Sequence, residues 1–515
     1  MLFGASALAL AFGLAGVASG QESEGPSRRP FGETGSGAGS AVAEPGLRLP
    51  PGLTGNGTAA GSAPATTATP TTGSAKRPGP RDNRGRRSRL PAVAPVQGAF
   101  RSTLIAPEVA ANVQPVQTGL PDPALPEVPA RRRPPADDPY APLGIRVGNI
   151  NLFPVIGQAI GYDSNPNRTD INRRGSFVSQ TEGELRVQSD WSNNELSGFL
   201  RGAYNEYPSN PEASRPEGAG RLAYRVDASR DTQFDVEGHY QIDTQRPGSP
   251  DLNAVVRERP IVYTEGASAG VTHRFNRVIA SLRGTIDRAD YDDAKLTNGT
   301  TIDQSDRNLT SFGVRGRLGY EVTPGLMPFA EAFADTRRYD RKIDSSGFAR
   351  SSDGIGGAIG TTFELTRLLT GEVSAGATQR SYQDARLREL TSPVANASLA
   401  YAFSPITTVR AGVQLGVDET TVPNATGIRT ARGTLEVSHD FRRNLTVTAG
   451  LTGSDYEYQG VSINERSFGA LLRADYRLNR QVALRASYNY ETLSSTVAGS
   501  SYSTNVFLLG IRLQP

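Results

Sequence analysis

Residues 467–491 read SFGALLRADYRLNRQVALRASYNYE. Taken every second residue, Phe468, Ala470, Leu472, Ala474, Tyr476 and Leu478 form one set, and Gly469, Arg473, Asp475 and Arg477 dominate the other. Past Asn479-Arg480 the alternation resumes. Val482, Leu484, Ala486, Tyr488 and Tyr490 then oppose Arg485, Ser487, Asn489 and Glu491. Strict alternation is the strand period, because successive side chains leave opposite faces of a pleated chain. Two such runs across a tight Asn-Arg turn predict a hairpin. Each run is about a dozen residues, roughly twice the usual globular strand and enough for a tilted crossing of a bilayer. The apolar face carries small aliphatics with tyrosines towards its ends, the pattern of a lipid-facing wall with interfacial aromatics.

The same texture continues from about Val147 to Pro515. Short turns recur at Ser192-Asn193-Asn194, Arg230-Asp231, Asn276-Arg277, Pro324-Gly325, Thr366-Arg367, Ser404-Pro405, Arg442-Arg443-Asn444 and Asn479-Arg480, at spacings of about 36 to 47 residues. A hairpin-sized unit therefore repeats. Longer connections rich in Asp, Asn, Ser, Gly and Pro lie between the turns, at 163–174, 244–258, 291–307, 339–351 and 493–501. Short and long connections alternate without exception, the asymmetry of tight periplasmic turns and long external loops. Strands counted between connections number about 18, with 16 as the alternative. An even number puts both ends of the barrel on one side. The expected fold is all-β: an antiparallel up-and-down transmembrane β-barrel over residues 147–515.

Polar residues of one parity mark the expected lumen: Arg283, Asp287, Arg315, Arg317, Arg473, Asp475 and Arg485. A charge facing lipid costs about 2–4 kcal/mol at mid-bilayer, so these side chains are expected inside. A large soluble sheet with one wet face is the competing reading. It would have to account separately for strand length, loop asymmetry and a secretion signal.

The preceding segments differ. Residues 2–18, LFGASALALAFGLAGVA, are continuously apolar, and Ala18-Ser19-Gly20 offers a cleavage site. Residues 1–20 therefore read as a signal peptide, although the usual basic residues ahead of the apolar run are absent; a short membrane anchor is the other reading. Residues 21–146 are rich in Pro, Gly, Ala, Ser and Thr and hold neither period, which predicts a disordered periplasmic extension. Its basic clusters, Lys76–Arg89 and Arg131–Arg133, are either solvated or contact an anionic partner such as headgroups or cell-wall polymer. Whether the extension plugs the barrel is left open by the sequence.

Composition narrows the functions. The 515 residues include no cysteine, which excludes disulfides, thiolate metal sites and thiol catalysis. With 55 basic and 52 acidic residues, charge gives no argument for nucleic acid. The three histidines, His239, His273 and His439, stand far apart without a second ligand at metal spacing and read as lumen or turn residues. His439-Asp440 lacks a placed nucleophile. Asp290, Asp292 and Asp293 could offer hard oxygens to calcium but read as a solvated loop. No catalytic residue, cofactor or metal is expected.

Two stretches carry a resemblance. Asn149–Asn167 (NINLFPVIGQAIGYDSNPN), closing on Tyr-Asp-Ser-Asn, resembles the start of the Putative beta-barrel porin 2 family of Gram-negative bacteria. So does Thr323–Asp340 (TPGLMPFAEAFADTRRYD), with its Pro-Gly turn, short Phe-Ala-Glu strand and Arg-Tyr-Asp exit. The final Leu513-Gln514-Pro515 departs from the aromatic ending usual in barrels. The resemblance implies an outer-membrane barrel with no catalytic residues to transfer. Its partners would be outer-membrane lipid and the barrel assembly machinery, and some relatives sit near exopolysaccharide systems. The expected function is a porin-like channel for polar solutes. A conduit or accessory for exopolysaccharide export and a non-conducting surface barrel are the alternatives.

Overall fold

The computed structural model describes residues 139–515, apart from 247, 253–255 and 367. The expected signal peptide, both basic clusters and nearly all of the expected 21–146 extension lie outside the described residues. A short strand, Ile145–Val147, folds back on the first barrel strand, with Ile145 opposite Leu152.

Eighteen long strands follow. The first six are β1 (Ile150–Asp163), β2 (Ser176–Ser189), β3 (Glu195–Glu206), β4 (Arg215–Asp227), β5 (Thr232–Thr244) and β6 (Ile261–Phe275). The next six are β7 (Val278–Tyr291), β8 (Leu309–Tyr320), β9 (Leu326–Tyr339), β10 (Ser352–Thr366), β11 (Leu369–Tyr382) and β12 (Leu390–Ser404). The last six are β13 (Thr407–Asp418), β14 (Gly427–Arg442), β15 (Leu445–Gln459), β16 (Asn464–Arg477), β17 (Val482–Ser495) and β18 (Tyr502–Leu513). Each pairs antiparallel with its sequence neighbours, and β18 pairs with β1 from Ile156↔Leu513 to Asp163↔Val506. The sheet is closed, which satisfies every ladder and leaves no edge, the condition for crossing lipid with strands. Both barrel ends, Ile150 and Leu513, lie at the end that carries the short turns.

The turn chemistry fits the geometry. Asn276 takes φ +58° in the two-residue link between β6 and β7, a left-handed conformation that asparagine tolerates. Gly325 at φ +89° serves the turn between β8 and β9. The alternation of short and long links has one exception. Residues 460–463, at the long-loop end, are no longer than the turn at 478–481. The neighbouring 419–426 loop explains it. Val422 and Ala425 pack with Ile428, Tyr456 and Tyr458, and Val461 and Ile463 cover them, so one loop roofs two hairpins. The strand expected to be short after Pro324-Gly325 is in fact full length, 14 residues from Leu326 to Tyr339.

The two faces differ as the alternation requires. Leu282, Ile286, Phe312, Val314, Leu318, Phe468, Leu472, Leu509 and Ile511 are exposed on the outer face. The outer surface is therefore apolar and, among the described residues, uncovered, as lipid contact demands. His273 and His439 also face outward beside the short turns, at equivalent places eight strands apart. Each ring meets a phenylalanine two residues on, Phe275 or Phe441, and each Nδ1 is 2.8 Å from a threonine hydroxyl, Thr232 or Thr407. Only His239 of the three faces the lumen.

The closing seam depends on a missing side chain. Gly157 of β1 lies between Arg512 of β18 and Glu182 of β2 in one hydrogen-bonded row. Strands two apart are about 9.5 Å distant, yet the Arg512 Nε reaches Glu182 at 2.8 Å and an Nη reaches Glu184 at 2.9 Å. A Cβ on Gly157 would stand 2.5 Å from the Glu182 Cγ, whereas one on Gly183 meets nothing within 4 Å. Gly157→Leu is therefore expected to lose about 1–3 kcal/mol through overpacking, with Gly183→Ala unchanged, read as the temperature at which the barrel loses its compact gel mobility. Leu472→Arg, on the outer face in mid-strand, is expected to cost about 2–4 kcal/mol in urea titration from liposomes.

Candidate functional site

The inner face is a wall of paired charges, and the same device that closes the seam recurs around it. Asp235, Gly270 and Arg283 form one row across β5, β6 and β7, and His239, Gly266 and Asp287 form another. Asp335, Gly354 and Arg380 form a third across β9, β10 and β11. In each the outer two side chains meet above the glycine: Arg283 with Asp235, Arg380 with Asp335, and the His239 Nε2 with the Asp287 Oδ1 at 3.1 Å. A Cβ on Gly266 would lie 2.6 Å from the His239 Cε1, and one on Gly354 would lie 2.6 Å from an Arg380 nitrogen.

All seven residues expected in the lumen sit on this inner face, in three groups. Arg283 and Asp287 belong to the rows over β6. Arg315 and Arg317 share Glu331 at 3.5 and 2.8 Å, and Arg317 also reaches Glu372 at 2.9 Å. These two guanidiniums lie over the rings of Phe333 and Phe329. Those phenylalanines in turn cover positions Gly356 and Gly360, where an added Cβ would lie 2.5 Å from ring carbons. Arg473, Asp475 and Arg485 form the third group, with Asp475 2.7 Å from Arg485. Arg485 links it onward to Glu182 at 3.7 Å, and through Glu182 to Arg512 of the seam.

Strand parity alone missed several partners. Glu182, Glu184, Arg512, Glu331, Glu372, Asp235 and Arg380 complete the network. A glycine in register between opposite charges is the signal that could have found Glu182 with Arg512, Asp235 with Arg283 and Asp335 with Arg380, whereas Glu331 simply stands opposite Arg317 on the next strand. It also missed inward apolar groups: Phe329, Phe333, Leu471 and Leu508 are all buried inside. His439 and Asp440 point to opposite faces of β14, so they form no pair. Asp290 is held by Arg288 at 2.7 Å and Asp293 accepts the Gln304 backbone N–H, which ties this acidic stretch into the loop.

At the long-loop end of the lumen, Arg246, Gly248 and Asp251, from a stretch the sequence marked only as a connection, reach distant parts of the wall. Arg246 donates to both carboxylate oxygens of Glu465 on β16, at 2.6 and 2.7 Å, and both side chains are buried. The Ser500 hydroxyl donates to the Gly248 carbonyl at 2.7 Å. Asp251 accepts from the Thr420 hydroxyl and the Thr421 N–H, both at 2.7 Å, in the loop between β13 and β14. β5 and β14 are half the barrel apart, so the segment straps one wall to the other. Arg350 braces the same loop by donating to the carbonyls of Thr420, Thr421, Val422 and Ala425. Buried Tyr207, Tyr339, Tyr456, Tyr458 and Tyr502 stand around this rim. Tyr207, Tyr339 and Tyr502 donate to Asp163, Glu419 and Glu491.

Below the strap, an open space of about 960 Å³ is bounded by Gln180, Glu184, Arg201, Glu217, Arg473 and Arg512 among others. Its lining mixes both signs, so it can hydrogen-bond polar molecules without a strong net field.

A closed sheet with an apolar exterior and a charged interior defines a porin-like outer-membrane β-barrel. The family model described as Putative beta-barrel porin 2 matches residues 138–515, and the chain belongs to that family. No curated protein matches it. Among solved structures, the chain is similar to OccK3 (OpdO) of Pseudomonas aeruginosa, at 15% identity and a TM-score of 0.36, over 70% of this chain and 96% of that one. It is similar to the copper transporter OprC at 11% identity and a TM-score of 0.38, over 72% and 81%. For the ferric citrate transporter FecA in its unliganded form the figures are 13% and 0.35, over 67% and 60%.

Breaking the strap's anchor has a defined consequence. Removing one member of a buried ion pair costs about 3–5 kcal/mol because the other charge stays buried. Glu465→Gln is expected to release the strap, read as faster hydrogen exchange at the Gln245 and Leu252 amides, with the amides of β14 unchanged.

Proposed function

We infer that this barrel is an outer-membrane channel for small polar solutes, narrowed at its external mouth by the strap that carries Arg246 and Asp251. The observation that carries the reading is the inner face of the closed eighteen-stranded sheet, lined by ion pairs of both signs. A barrel of 16–18 strands is wide enough for water, whereas about eight strands are filled by side chains. Mutually paired charges offer hydrogen bonds to hydroxyl-rich solutes without the repulsion a single-sign lining would impose.

In this reading the long loops and strap face the exterior and the short turns face the periplasm. Both barrel ends then open inward, which supports a periplasmic position for residues 21–146. Outer-membrane lipid and the barrel assembly machinery are the partners, and the lumen carries solutes rather than catalysing a reaction. The strap favours small solutes over a polysaccharide chain, since a polymer would have to displace the Arg246–Glu465 pair to pass.

Reconstitution in planar bilayers tests the reading. The expected result is stepwise ion conductance from the wild type and larger steps from Glu465→Gln. Folded barrels that insert and never conduct, in either form, would remove it.

A further inference from the structure

The outer wall treats its two ends differently. On β7 the outward positions from Val278 to Ile286, nine residues, carry no charge, and Arg288 and Asp290 follow. On β16 the run from Tyr476 to Phe468 is also nine residues and gives way to Arg466. On β14 eleven residues, Phe441 to Ala431, precede Arg429. Nine residues at about 3.3 Å each, tilted by about 35–45°, reach roughly 21–24 Å along the barrel axis, no more than the ~25 Å apolar band of such barrels. The first charges therefore sit at headgroup level rather than clear of the membrane.

These residues form a collar at the long-loop end. Glu265, Arg288, Thr310 and Arg338 share one row across β6 to β9, and Thr336 and Asp353 continue it on β9 and β10. Arg429 stands opposite Glu457, and Asp455 opposite Arg466, on β14 to β16. Glu206 ends β3 on the same face. The charges are only partly answered within the collar. Arg288 reaches Asp290 and Asp340, both at 2.7 Å, and Arg338 reaches Asp353 at 2.7 Å. Arg466 gives its Nε to Asp455 at 3.0 Å. Among the described residues, the Arg466 amino groups have no acceptor, and exposed Glu206, Glu265 and Glu457 make no ion pair. A charge left unanswered at this depth has to find its partner in the lipid.

At the short-turn end the outward positions hold Tyr224, Phe234, Phe275, Phe403, Phe441 and Tyr476, all exposed. Aromatic rings of that kind suit an ordinary phospholipid interface. Two leaflets of one lipid give no reason for an ionic collar at one end and aromatic rings at the other.

We propose that the collar is a binding surface for a phosphorylated glycolipid of the lipopolysaccharide class in the leaflet around the long loops. The guanidiniums of Arg288, Arg338 and Arg466 meet its phosphates, for which their planar N–H groups are matched. Glu206, Glu265 and Glu457 accept from its sugar hydroxyls. A headgroup that offers both phosphate oxygens and many hydroxyls answers a collar of both signs. The surface rests on the barrel standing in an outer membrane and not on conduction.

The experiment counts lipid retained by the purified full-length barrel in detergent, by native mass spectrometry. The probes are deep-rough lipopolysaccharide, the same lipid stripped of its phosphates, and phosphatidylethanolamine. The wild type is expected to bind intact lipopolysaccharide at least tenfold more tightly than either of the others. The combined variant Arg288→Gln, Arg338→Gln, Arg466→Gln is expected to lose about tenfold or more of that affinity. Exposed ion pairs add little to stability, so this variant keeps the compact gel mobility of the wild type. Arg466→Lys should retain more binding than Arg466→Gln, and His273→Gln with His439→Gln at the short-turn end should change nothing. Equal retention of the three lipids means an unselective lipid ring and overturns the proposal, as does unchanged lipopolysaccharide binding in the combined variant. Bilayer recordings keep the two ideas apart. Conductance without selective retention removes the collar alone, and selective retention without conductance removes the channel alone.

Discussion

Across the lipid-facing part of the wall, a charge has one direction open to it. Lipid on one side of a single sheet excludes ionised groups, so acids and bases crowd onto the inner face and must neutralise each other there. Neighbouring strands supply some partners. Others are two strands away, about 9.5 Å by strand spacing, and such a pair meets most directly where the strand between presents no side chain. Glycine in register meets the requirement at positions 157, 266, 270 and 354. The wall is thus held by backbone hydrogen bonds along its length and by ion pairs laid across it. Phe329 and Phe333 use the same kind of floor, at Gly360 and Gly356, to lie flat beneath Arg317 and Arg315.

The strap and the wall follow different logic. The wall is repetitive, and each strand needs only its two neighbours. The rim is where segments distant in sequence meet: Arg246 with Glu465, Asp251 with Thr420, Arg350 with the 420–425 carbonyls. The small apolar clusters inside the barrel, around Ile428 and around Tyr207, also gather here beneath the loops. A barrel has no central core, so burial of apolar groups inside concentrates where loops give them something to pack against.

That division explains what could be read from residue order. Alternation along 467–491, the Asn-Arg turn and the repeat of short links carried the strand number and the two faces, because each depends on residues close in the chain. The inward position of Arg473 and Asp475 followed from parity alone. Their neighbours Glu182 and Arg512 did not, because they are set by which residues a closed sheet brings into one row. The strap was illegible for the same reason: nothing near Arg246 in sequence points to Glu465. The 460–463 link broke the expected pattern because a neighbouring loop already roofed it. Leu471 and Leu508 had no local mark distinguishing an inward leucine from an outward one.

The seam at Gly157 also bears on how the cylinder can shut. Sliding β18 by two residues against β1 would keep every inner side chain inside and preserve the ladder, so alternation alone cannot forbid it. It would, however, bring Arg512 into the row of Val155 and Glu184 or of Ala159 and Gln180, where a side chain on β1 replaces the bare Gly157 beneath the guanidinium. The bare position works as a keyhole: of these depths, only the observed one lets the arginine of the last strand cross its neighbour with nothing beneath it.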